Sequence, residues 1–194
     1  MISQSKLENK RERILLAARR LFVNQGFHNT PTSAIAREAN VANGTLFHYF
    51  NTKEELINTL YKETKRSFFT ITTAGVDNEK NIKRKIRLLW YNTVKWALNR
   101  PQDFLFIQQY SNSPFISQLT QEDISEHIGF YFDLIDQGKG KGTLKDIPTD
   151  LMYQLTTYQI YGIINYLFQH KEFQNNPTYL SMAFEFYWES ITKK

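Results

Sequence analysis

Thr30-Pro31-Thr32-Ser33-Ala34-Ile35-Ala36-Arg37-Glu38-Ala39-Asn40-Val41-Ala42-Asn43-Gly44-Thr45-Leu46-Phe47-His48-Tyr49-Phe50 reads as two short helices around a tight turn. Thr30 suits the cap of the first helix, because its hydroxyl can accept from a free amide of the first turn. Pro31 suits the first helical position, where a missing N–H costs nothing. Ala34, Ile35 and Ala39 supply a small apolar face. Asn40 tolerates the left-handed conformation that ends a helix and opens a turn. In the second helix Leu46 and Phe50 stand four apart on one side. The other side carries Asn43, Thr45, Phe47, His48 and Tyr49. This is a helix-turn-helix, and those side chains suit base edges, methyl groups and phosphates in a major groove.

The segment resembles the DNA-binding motif of the TetR family of bacterial transcription regulators. Three parts carry the resemblance: Gly26-Phe27 ahead of the motif, Ile35-Ala36 in its first helix, and Gly44-Thr45-Leu46-Phe47-His48-Tyr49-Phe50 running on to Lys53-Glu54 and Leu56. It covers roughly residues 8 to 60. Beyond them only length, helical character and the ending are alike. The resemblance implies that Thr45 and Tyr49 contact phosphate or bases, and that Phe47 packs on sugar-phosphate or a thymine methyl. Gly44 and His48 belong to the same surface. Thr32 and Ser33 are expected to meet the DNA backbone at a helix N-terminus, and Lys53 to face a phosphate. Many relatives have Gly, Ser and Lys where this chain has Asn40, Ala42 and Asn43. Without the serine, Asn43 either takes over the cap of the second helix or reads a base.

The flanks agree with that reading. Residues 7–24 form one amphipathic helix with Ile14, Leu15, Ala18, Leu21 and Phe22 as its buried stripe, closed by Gly26. Lys10, Arg11, Arg13, Arg19 and Arg20 lie mostly off the stripe, and the basic N-terminal end is expected near phosphates. Thr52-Lys53-Glu54-Glu55 is a capping box opening a longer helix through Leu56, Ile57, Leu60, Tyr61, Phe68 and Phe69. The net charge is +5. Residues 1–66 hold eleven Lys/Arg against six Asp/Glu, and residues 67–194 hold thirteen of each. The whole positive excess therefore travels with the motif, as counterion release from phosphates favours.

Composition excludes several classes. A chain of 194 residues, 41% hydrophobic, with eight glycines and five prolines, can bury a sizeable core. With no cysteine there are no disulfides and no thiol chemistry. Neither a signal peptide nor a membrane span is expected, so the expected location is the cytoplasm.

After a loop at residues 75–78, helices are expected over residues 79–99, from Pro101, over 116–137, 149–170 and 177–192, with Gly138 to Gly142 read as a loop. The expected fold is all-α, of about nine helices. A three-helix DNA-binding domain (residues 1–51) precedes a helical effector-binding and dimerisation domain (residues 52–194). That second part is rich in aromatics. Trp90, Trp96, Phe104, Tyr110, Phe130, Tyr131, Tyr158 and Tyr161 are candidates for an effector pocket, since Trp and Tyr offer area with a polar tip. In the family the last two helices pair with their twins. Leu155, Gly162, Tyr166, Phe184, Tyr187 and Trp188 are the candidates for that interface. Glu122, Asp123, Glu126 and His127 cluster without a zinc spacing and read as a solvated acidic face.

No metal site, cofactor or nucleophile–base set is found, so no enzyme is expected. The reading is a homodimeric repressor that leaves a palindromic double-stranded operator when a small, largely apolar or aromatic effector binds. A DNA-binding protein governed by a protein partner, or an architectural one, would carry the same motif.

Overall fold

In the computed structural model the backbone is described for residues 4–116 and 118–193, and side chains for residues 10–116, 125 and 127–193. Among these residues there are nine α-helices: α1 (Gln4–Gln25), α2 (Thr32–Glu38), α3 (Asn43–Tyr49), α4 (Lys53–Thr72), α5 (Ile82–Asn99), α6 (Pro101–Tyr110), α7 (Gln118–Gly140), α8 (Thr149–Gln169) and α9 (Pro177–Ile191). The only β-type pairing among them is an isolated bridge between Leu144 and Thr192. No helix among them is long and apolar enough to cross a membrane. The chain divides into two units, Met1–Lys65 with Pro101–Asp123, and Arg66–Arg100 with Ile124–Lys194.

In the first unit, Ile14, Ala18 and Phe22 of α1 are completely buried, as their spacing predicts, together with Ile35 of α2, Leu46 of α3 and Leu56, Ile57 and Leu60 of α4. Burying each of the larger of these side chains stabilises the fold by about 1.5–3 kcal/mol. Gly26 ends α1 at φ +78°, a left-handed conformation glycine takes without strain. α6 packs on the outside of α1. The Tyr110 hydroxyl donates to the Phe22 carbonyl at 3.2 Å, and Asp103 pairs with Arg19.

Thr30 departs from expectation. Pro31 occupies the cap position of α2, and no side chain bonds to that end. Thr30 is fully buried. Its hydroxyl donates backwards, to the Gly26 carbonyl at 2.7 Å and the Leu21 carbonyl at 3.3 Å. The free carbonyls at the end of α1 have claimed it, because a helix C-terminus needs donors as much as an N-terminus needs acceptors. The capping box behaves nearly as expected. Glu55 N–H donates to Thr52 Oγ1 at 3.0 Å, while the Glu55 carboxylate accepts from the Asn51 amide at 2.8 Å, one residue further back.

In the second unit, α5 presents Ile86, Trp90, Val94 and Ala97 to a core shared with Met152, Ile164 and Leu167 of α8 and Phe184, Trp188 and Ile191 of α9. The Trp90 and Phe184 rings meet edge to face at 5.7 Å. α5 begins at Ile82, three residues later than expected, because Asn81 accepts from the Arg84 amide and caps it. α7 continues through Gly138 and Gly140, where a loop was expected. The reason is tertiary. A Cβ at Gly138 would lie 2.5 Å from Leu144 Cδ1, so the bare backbone admits the returning chain. That packing outweighs a helix penalty of about 1 kcal/mol per glycine. The turn falls at Gly142, at φ +67°.

Candidate nucleic-acid interface

The turn between α2 and α3 is built from backbone bonds. Val41 N–H donates to the Ala36 carbonyl at 2.9 Å, and Asn40 N–H to the Arg37 carbonyl at 3.1 Å. This is the Schellman pattern, with Asn40 in the left-handed conformation its type predicts, φ +52°. The carbonyl of Asn40 accepts from Arg13 Nη2 on α1 at 2.7 Å.

α3 then turns Leu46 and Phe50 inwards. Asn43, Gly44, Phe47 and His48 are exposed, and Thr45 and Tyr49 are half-buried at the edge of that face. The ring of Phe47 is 40% exposed, an apolar tip among polar ones. The His48 and Tyr49 rings meet edge on at 5.5 Å. Ala42 occupies the cap position of α3 and no side chain caps it, so Asn43 is the first helical residue and does not serve as the cap. Ser33 at the start of α2 is exposed and Thr32 is half-buried.

The cations are arranged differently from what charge counting suggests. Arg11 pairs with Glu63, Arg19 with Asp103 and Arg20 with Glu38 at 2.9 Å, while Arg13 is held by Asn40. Lys53 points its ammonium at the Phe27 carbonyl and lies 4.2 Å over the Phe27 ring. Burial pulls its pKa below the usual lysine value, with the neighbouring Glu54 opposing. Arg37 of α2 is exposed. In the sequence Arg13 is one more cation off the buried stripe; its partner lies 27 residues away, and no local pattern announces it.

The eight aromatic candidates separate. Phe104 and Tyr110 are buried in the first unit against its own helices. Trp90 lies in the α5–α9 core. Tyr158 is 60% exposed on α8, with Tyr161 in ring contact at 6.3 Å. The other three, Trp96, Phe130 and Tyr131, contact the rings of Phe68 and Phe69 of α4. Trp96 meets Phe68 edge on at 4.9 Å. Phe130 and Tyr131 meet Phe69 at 5.7 and 6.3 Å, and His127 stands edge on to Phe69 at 4.6 Å. Burial pushes the Tyr131 phenol far above its usual pKa, yet the side chain keeps part of its surface accessible. The Trp96 indole nitrogen and His127 Nδ1 are each buried with no hydrogen-bond partner among the described residues. The side chains of Glu122, Asp123 and Glu126 lie outside the described residues. No cluster able to hold a metal occurs among the described ones.

The interface candidates divide as well. Phe184, Tyr187 and Trp188 face their own core. Leu155, Gly162 and Tyr166 are exposed on one side of α8, beside Leu151 and Tyr158. Exposed Met182 and Phe186 of α9 add to the apolar surface of this unit, Phe186 at 71%.

Comparison with known proteins follows the same division. Residues 14–60 match the bacterial regulatory proteins of the tetR family, and residues 61–193 match the tetracyclin repressor-like C-terminal domain. A crystal structure of a tetR family transcription regulator from Shewanella sp. PV-4 is 35% identical, covers 95% of this chain and 99% of its own, and superposes with a TM-score of 0.86. An HTH-type transcriptional regulator of Haemophilus influenzae is 26% identical, over 94% of this chain and 95% of its own. The fatty acid metabolism regulator protein of Bacillus subtilis is 25% identical over 78% of each. These are transcription regulators and not enzymes. With both halves matched, this chain belongs to the TetR family of DNA-binding transcription regulators.

Proposed function

We propose that the chain is a homodimeric repressor, acting in the cytoplasm, that releases a palindromic operator when a small apolar or aromatic molecule enters its second domain. Residues 1–51 read the DNA, and residues 52–194 bind the effector and the twin subunit. The observation that carries this reading is the face of α3: Asn43, Gly44, Phe47 and His48 exposed, Thr45 and Tyr49 at its edge, over a buried Leu46. Thr32 and Ser33 sit at the backbone, and Lys53, committed to Phe27, holds the entry to α4 in place.

The exposed apolar faces of α8 and α9 support a two-fold dimer, since a monomer rarely leaves such a surface uncovered. A two-fold axis sets the recognition helices about 34–36 Å apart, one turn of duplex. The effector enters among Phe68, Phe69, Trp96, His127, Phe130 and Tyr131, where two ring nitrogens lack partners. A relative that regulates fatty acid metabolism makes long apolar chains the first class to screen. α4 has residues in both units, and its displacement by effector shifts the population away from the DNA-competent spacing.

The test is a salt titration of binding to a duplex selected from a random pool. The unsubstituted protein should lose affinity steeply with salt. Thr45→Ala with Tyr49→Ala should abolish selective binding; retention of it would overturn the assignment of α3. A thermal-shift screen of apolar and aromatic compounds tests the second half, and a stabilising compound should also release the duplex.

A further inference from the structure

We propose that Arg13 is a positioning residue for DNA recognition, its guanidinium on α1 holding the Asn40 carbonyl and thereby fixing the turn that sets α3 against α2. Asn40 is the only non-glycine residue at positive φ among the described residues. A side chain there meets a steric cost that glycine does not carry. The turn's own backbone bonds satisfy α2 through Ala36 and Arg37, whereas the Asn40 carbonyl is held from outside the motif, by Arg13 Nη2 at 2.7 Å. Arg13 is half-buried. Arg13 Nε is sealed from solvent without a partner, in a groove between Leu16 of α1 and Ala39 of α2, with the Arg20–Glu38 pair also lining it. Giving up water at Nε is unfavourable, so this geometry persists because the bond to Asn40 offsets it.

The affinity of the dimer scales with the fraction of subunits whose turn is in the DNA-competent arrangement. Losing one charge-assisted hydrogen bond at a strained turn should weaken binding about tenfold. Asn40→Gly removes the strain and with it the need for the clamp.

The experiment compares the parent, Arg13→Met, Asn40→Gly and the double variant by fluorescence anisotropy, on the duplex selected with the parent, across a series of salt concentrations. Arg13→Met should lose about tenfold in affinity with an unchanged slope of log K against log salt. Asn40→Gly should bind like the parent, and the double variant should recover to within about twofold, the clamp now being dispensable. A phosphate contact would lower the slope by about 0.9 per subunit and would not be rescued. That result, full affinity in Arg13→Met, or failure of Asn40→Gly to rescue, overturns the proposal. Circular dichroism checks folding, and if Arg13→Met does not fold, Arg13→Gln replaces it. The inference rests on α3 as the recognition helix. If selection returns no duplex that reading fails, whereas a selected duplex bound equally by Arg13→Met removes only the clamp.

Discussion

Thr30→Val and Thr30→Asp separate two roles for one residue, and they do so by sign. The side chain is fully buried, its hydroxyl donating to the Gly26 carbonyl at 2.7 Å and less closely to the Leu21 carbonyl at 3.3 Å. The shorter bond contributes on the order of 1 kcal/mol net, the longer one less. Valine keeps the shape and gains about 0.8 kcal/mol from the extra buried methyl. It leaves the Gly26 carbonyl short of a donor, which costs about 1–3 kcal/mol. The balance is a loss of up to about 2 kcal/mol. Aspartate fares worse. Ionised, it sets a carboxylate against two carbonyl oxygens in a sealed site, and it escapes only by taking a proton. An upward pKa shift of about 3 units corresponds to roughly 4 kcal/mol at neutral pH.

A residue capping α2 would show the reverse order, because aspartate is among the best N-caps and valine among the worst, by about 1 kcal/mol. Urea unfolding followed by circular dichroism at room temperature reads the difference. Two transitions, should the two units unfold separately, only sharpen it, since the first should move and the second should not. If the Thr30→Asp chain proves as stable as the parent while Thr30→Val is weakened, the assignment of Thr30 to the end of α1 is wrong.

Gly138→Ala should destabilise by about 1 kcal/mol, because overpacking against Leu144 costs about 1–3 kcal/mol and alanine returns at most about 1 in helix propensity; a more stable variant in urea would contradict the packing argument. Phe186→Glu puts a charge at the most exposed ring of α9 and should raise the dissociation constant of the proposed dimer more than about thirtyfold, as expected for a hot-spot anchor; light scattering should report a folded monomer, and an unchanged mass would show that this face is not the interface. Burial raises the phenols of Tyr131 and Tyr187 above their usual value of 10. Both states keep the proton below that value, so the contribution is complete there. Above it the unfolded chain ionises and the folded chain does not, so stability should fall as pH rises beyond about 10. Tyr187→Phe should flatten that fall in urea midpoints measured from about pH 8 to 11, and an unaltered slope would refute the burial argument.

The parts of this molecule that could be read in advance are those decided by neighbours in sequence. The inward turn of Leu46 and Phe50 follows from helical spacing, and the left-handed Asn40 follows from what asparagine tolerates. Each requires knowledge of only one or two turns of chain. What could not be read are choices between partners that are both locally acceptable. Thr30 has a helix on either side, and a hydroxyl serves both ends equally well; only burial under Leu21 and Gly26 decides. Gly138 and Gly140 disfavour helix locally, and only the arrival of Leu144 explains why α7 continues. Helical periodicity shows that Tyr110 and Tyr158 each lie on some face. It does not say that Tyr110 buries its ring against Phe22 while Tyr158 faces outwards. Long cations are the least legible of all. Arg11, Arg13, Arg19 and Arg20 form a basic run by count, yet their partners lie 52, 27, 84 and 18 residues away. The net charge of the first third of the chain still attracts a polyanion at long range, because pairing moves no charge out of that region. With α3 as the proposed recognition helix, the contacts that discriminate one duplex from another come from its tips, and their geometry depends on the Arg13 bond to the turn before it.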